Sequence, residues 1–125
     1  MKVIVEILEG RTREQKASII RAILEAISDA FSVPQNSVTV CIVEASFCNM
    51  AASGKLRSDI AAGEPKYGAL LEPRLTILCT NEHDVEQRRK AVKQMTEKIS
   101  EITGVTTNDI LIFFQRTSDG TFALK

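Results

Sequence analysis

At 125 residues, 44% of them hydrophobic, the chain has the size of one domain and enough apolar material for a core. Its 16 basic residues balance 16 acidic ones, and a formal net charge of zero argues against a nucleic-acid partner, because phosphate backbones select basic surfaces. No apolar run reaches the ~20 residues of a membrane span, and Glu6 and Glu9 break the N-terminal apolar stretch that a signal peptide needs, so a soluble cytoplasmic protein is expected.

Residues 2–8 (KVIVEIL) alternate Val3, Val5 and Ile7 onto one face and predict a strand. Thr12 opens a helix, with Gln15 placed three positions on as its capping-box partner. The helix carries an apolar stripe of Ile19, Ile20, Ile23, Ile27, Ala30 and Phe31, and Pro34 stops it. Residues 38–44 (VTVCIVE) are β-branched and predict a second strand. These elements make a first βαβ unit over 1–45. A connection over 46–72 follows, containing Gly54, Gly63, Pro65 and Gly68. At that length it is expected to hold a hairpin or a helical turn.

The pattern then returns over 73–116. Residues 74–80 predict a strand, and Asp84 with Gln87 caps a helix striped by Ala91, Val92, Met95, Ile99 and Ile102. Gly104 ends that helix, and 109–115 predict the last strand. Asp119-Gly120 predicts a turn in a small hairpin over 117–125. An offset of 72 superposes the halves without a gap: Glu14-Gln15 on Glu86-Gln87, Ile27-Ser28 on Ile99-Ser100, Asn36 on Asn108. An internal duplication is the simplest cause. The expected fold is α+β, a single domain in which two tandem βαβ units share a four-stranded sheet with both helices on one face.

Strand parity turns Val3, Val5, Ile7, Val38, Val40 and Ile42, and in the second unit Leu75, Ile77, Cys79, Ile110, Ile112 and Phe114, toward the helices. The opposite face then carries Ile4, Leu8, Cys41, Val43, Leu78, Leu111 and Phe113, which is too apolar for solvent. It predicts an oligomer. The bland alternative is that 45–72 folds back over it. Cys41, Cys48 and Cys79 show no CxxC spacing and read as buried, reduced thiols. His83 is the only histidine, so no metal cluster is expected, and Arg88-Arg89-Lys90 with Lys93 reads as a solvated helix face.

The run Ile7-Leu8-Glu9-Gly10-Arg11-Thr12-Arg13-Glu14-Gln15-Lys16 resembles the start of 4-oxalocrotonate tautomerase and its relatives. The likeness continues through Glu25-Ala26-Ile27-Ser28, Pro34, Ser37-Val38 and Val40 to Glu44. In length and duplication the chain is similar to the fused members of the tautomerase superfamily. The resemblance implies a trimer built like the hexamers of the short form, with a second kind of chain also conceivable as subunit. It further implies a small carboxylate-bearing ligand and no cofactor.

In that family an N-terminal proline moves a proton between carbon and oxygen of an enol or keto acid. Gap-free alignment puts Met1 at its place, and Lys2 is too large for the initiator to be removed. Arg11 matches a family arginine that binds a substrate carboxylate. The second family arginine falls at Thr39 and the aromatic wall at Met50. Pro73 lands on the proline position of the second unit but its nitrogen is an amide, and His83 lands on the arginine position. Arg74 and Arg57 are further cations able to reach a site. The catalytic candidates are thus Met1 and Arg11, with Arg11, Thr39, Met50 and Arg74 for substrate. An isomerase of low or absent activity on simple enols is expected, since losing a tuned base costs about 10²–10⁴ in rate. The alternatives are a non-catalytic binding module or partner subunit, and a ferredoxin-like regulatory domain, which the ILEGR…EQK match opposes.

Overall fold

A computed structural model of the chain describes residues 1–52, 54–56, 73–79 and 84–117. Most of the 46–72 connection and the expected C-terminal hairpin, together with Arg57 and His83, lie outside the described residues.

Strand β1 (Lys2–Leu8) buries Val3, Val5 and Ile7. Helix α1 (Arg13–Phe31) starts on a reciprocal capping box. The Gln15 N–H donates to the Thr12 hydroxyl at 3.1 Å, and the Thr12 N–H donates to the Gln15 side-chain oxygen at 2.9 Å. Thr12→Ala orphans one of these donors. It is expected to cost about 1 kcal/mol, read as a lower urea midpoint with an unchanged far-UV spectrum. α1 buries Ile19, Ala22, Ile23, Ala26, Ile27, Ala30 and Phe31 in one stripe. It ends where Ser32 turns left-handed at φ 54°, and Pro34 keeps it from resuming. Strand β2 (Thr39–Ala45) follows a 3-10 turn over Gln35–Ser37. In the connection, a second such turn (Phe47–Asn49) leads to short antiparallel strands β3 (Ala51–Ala52) and β4 (Lys55–Leu56).

The second unit repeats the first with β5 (Arg74–Cys79), α2 (Val85–Thr103) and β6 (Leu111–Arg116). Both helices have 19 residues and begin and end 72 positions apart. Asp84 and Gln87 form the second capping box, and Gly104 takes the left-handed C-cap at φ 77°. The last strand starts two residues later than its sequence predicts. Thr107–Asp109 close a 3-10 turn, with the Thr106 hydroxyl donating to the Asp109 carboxylate at 2.8 Å. Asp109 therefore belongs to the turn, which is the counterpart of Gln35–Ser37.

The sheet order is β2-β1-β5-β6. Each unit pairs its own strands in parallel, and the units meet through antiparallel β1 and β5. Ile4 pairs with Thr76, its own counterpart at an offset of 72, so a pseudo-two-fold axis passes through that pair. Both helices lie on one face and pack on each other. Their core includes Ile23, Ile27, Met95 and Ile99 with Val3, Val5, Leu75 and Ile77, all fully buried. Val40, Ile42, Ile112 and Phe114 pack against its edge, as parity requires.

On the other face, rows across the four strands run Cys41–Ile4–Thr76–Phe113 and Val43–Glu6–Arg74–Leu111. Val43 and Phe113 are 50% and 44% exposed, while Leu8 is buried. The expectation of buried thiols holds for Cys79 only. Cys41 points to this open face from an edge strand, and Cys48 is exposed as well.

Candidate active site

Met1 leads into β1. Its carbonyl accepts the Thr39 N–H at 3.0 Å, and its half-buried side chain packs against the core. The start of the chain is thereby held at one end of the sheet. The same end carries the start of β2 and the ends of β5 and β6, since Lys2 pairs with both Thr39 and Leu78, and Cys79 pairs with Arg116. Thr39 contributes its backbone here, a role its place opposite a missing arginine did not suggest.

Arg11 stands at the other end. The Glu9 N–H donates to the Ala45 carbonyl at 2.9 Å, and Gly10, at φ 114°, makes the turn that delivers Arg11 to the start of α1. Seven strand residues at about 3.3 Å each separate the two positions by roughly 20 Å. The two catalytic candidates, Met1 and Arg11, therefore do not meet within one chain. The reason is elementary: residues 1 and 11 flank an extended strand and must point away from each other. The length of β1 was readable in the sequence and could have shown this.

Arg74 shares the Arg11 end, because β5 runs antiparallel to β1 and Glu6 pairs with Arg74. Its guanidinium lies 3.8 Å from the Glu6 carboxylate and 4.9 Å over the Phe113 ring, on the bare face. Met50, half-buried, follows the turn by which the chain leaves β2 at this same end. Of the predicted site residues, Met1 and Thr39 therefore gather at one end, and Arg11 and Arg74 at the other, where the chain also departs toward Met50.

The repeat makes the two ends equivalent. Pro73 holds the place of Met1, and its carbonyl accepts the Leu111 N–H at 3.2 Å just as Met1 accepts from Thr39. Pro73 is fully buried and internal, so its acylated nitrogen cannot take a proton. Arg11 thus shares its end of the sheet with a strand start that has no amine. Among the described residues no group of three or more metal-ligating side chains gathers, and no helix is long and apolar enough to cross a membrane.

Residues 2–60 match the family model described as tautomerase enzyme. The 2-hydroxymuconate tautomerase of Pseudomonas putida is 41% identical over 56 residues, which are 45% of this chain and 89% of that protein. The chain belongs to the tautomerase family. A probable tautomerase of Bacillus cereus is 39% identical over 57 residues, 46% of this chain and 93% of the relative. Each of these short tautomerases corresponds to the first βαβ unit with part of the connection. The whole tautomerase chain is matched by solved structures of longer proteins. Native fused 4-OT superposes with a TM-score of 0.83 over 99% of this chain and 92% of that one, at 17% identity. A wild-type fused 4-OT described as an asymmetric trimer gives 0.82 over the same shares, at 20% identity. At these identities the likeness speaks for the fold, and it includes the second unit that the short relatives lack.

Proposed function

We propose that this tautomerase acts as a weak keto–enol isomerase of small 2-oxo or enol acids, at a site assembled between copies of the chain in a trimer. The observation that carries the proposal is the hydrogen bond from Thr39 to the Met1 carbonyl, which fixes the amino end at one end of the sheet. A neutral α-amine there can take the proton from an enol oxygen and return one to the carbon α to the carbonyl that forms, so that nothing is gained or lost overall. The substrate carboxylate needs a guanidinium. Arg11 of the same chain is a strand's length away, so a second copy must supply it. The trimeric fused 4-OT of the same fold and the apolar sheet face both support such an assembly. Three unpaired cysteines suit a cytoplasmic setting.

Arg11→Ala is the test, with enolised phenylpyruvate and 2-hydroxymuconate as substrates and intact mass confirming a free Met1. We expect kcat/KM to fall about 10–100-fold, the range for a lost charged hydrogen-bond pair. Native activity unchanged in Arg11→Ala would remove Arg11 from the site. A second reading is a non-catalytic small-acid binding module or partner subunit. It is favoured by the threonine that stands where the family has its second arginine, and it predicts no native turnover with Arg11-dependent binding of the acid.

A further inference from the structure

The duplication offers an internal comparison that points to a second binding site, along the outer edge of the sheet between α2 and β6. In the first unit, Lys16 of α1 and Glu44 of β2 pair at 2.9 Å across the helix–strand groove. At an offset of 72 these residues become Arg88 and Arg116, so the carboxylate that neutralises the first groove is replaced by another cation. Parity sets Arg116 on the same side of β6 as Ile112 and Phe114.

Between α2 and β6 lies a hollow of about 410 Å³. Val85, Val92, Ile112 and Phe114 form its apolar walls, and Arg88, Arg89 and Lys93 its cationic rim. Arg89 bonds Glu86 at 2.9 Å, whereas among the described residues no carboxylate pairs with Arg88 or Lys93. Arg89 and Lys93 are a like-charged i,i+4 pair, an arrangement that weakens an isolated helix. Phe114 meets Phe31 edge to face at 6.1 Å, which steadies one wall of the hollow. Val85, half exposed at the start of α2, stands where the first unit has Arg13. The second groove has therefore gained an apolar wall, and a cation stands in it where the first groove has its carboxylate.

An apolar hollow of this size with a few convergent charges suits a small ligand. We propose that the α2–β6 groove binds an amphipathic carboxylate. Its aromatic or branched hydrocarbon body lies against Val92, Ile112 and Phe114, and its anion meets Arg88 and Lys93. The site owes nothing to the Met1 amine or to Arg11, so it stands or falls apart from the proposed isomerase.

The probe is 2-naphthoate, added to the full-length protein and followed by amide chemical shifts, with 2-naphthamide as its uncharged counterpart. Shifts confined to Val85–Lys93 and Leu111–Arg116 are expected, with the amide at least tenfold weaker. The double variant Arg88→Gln/Lys93→Gln should weaken naphthoate at least tenfold while keeping its dispersed spectrum, and Arg11→Ala should bind like the native chain. Equal affinity for acid and amide would overturn the proposal. So would binding unaffected by the double variant, shifts centred on Met1 and Thr39, or a crystal structure with the groove filled by a neighbouring copy.

Discussion

Phe113→Asp is expected to leave the chain folded and to break its assembly into single chains. Phe113 sits on the edge strand β6 of the uncovered face, 44% exposed and stacked under Arg74, with Leu111, Ile4 and Leu78 half-buried on the same face. Each large apolar side chain taken from water contributes about 1.5–3 kcal/mol, so three or four of them per copy dominate the association. A carboxylate at Phe113 removes one contribution. It also has to be desolvated in the interface, a cost that Arg74, already beside Glu6, offsets only in part. Within a single chain the same position touches solvent, so the cost falls on assembly and hardly on folding. Light scattering on a sizing column reads the result directly. The native protein should show three times the mass of the 13.8 kDa chain, and the variant one chain. A native protein that is already monomeric would end the proposed shared site, because Arg11 could then reach no amine.

Replacing Met1 by proline, behind an added initiator that the cell removes, is expected to raise tautomerase turnover by about 10²–10⁴. The backbone needed for this is in place. The Met1 carbonyl is the acceptor for Thr39, and proline keeps that carbonyl while giving up only an N–H that the site would rather lack. The gain has two sources: a more basic secondary amine, and a ring in place of a flexible side chain. Thr39 remains where the family has its second arginine, which sets a ceiling below that of the family's efficient members. Stopped-flow decay of 2-hydroxymuconate, with intact mass to verify the proline start, provides the measurement. No gain in rate, in a protein of verified mass and native spectrum, would mean that the amino end takes no part in catalysis.

Most of the fold was legible because its signals are local and stated twice. Thr12 with Gln15, and Asp84 with Gln87, mark both helix starts to the residue. The alternation of β1 and β5 names the residues they turn to the helices, with Leu8 at the end of β1 buried as well although parity sets it on the other face. The strand starts at Thr39 and Leu111 were legible only to within a residue or two, since Val38 and Ile110, which close the 3-10 turns, are β-branched and extended yet precede the first ladder pair. Cys41 was misjudged because an apolar run on an edge strand hides which of its sides is covered. The site was less legible than the fold. Motif likeness names Met1 and Arg11 but carries no distance, and only the direction of β1 shows that they belong to different ends. The solvated cationic face of α2 was legible, since Arg89, Lys90 and Lys93 are exposed; the apolar hollow behind it becomes visible only once β6 is placed beside the helix.

The acylated nitrogen of Pro73 has a consequence for how such a molecule can change over time. Joining two units into one polypeptide abolishes every second potential reaction centre at a stroke, whatever residue is encoded at the joint. Substitutions around the muted centre then escape selection for turnover, while those needed for packing do not. The downstream half of the gene is released to explore new ligands on a scaffold that its upstream twin keeps folded.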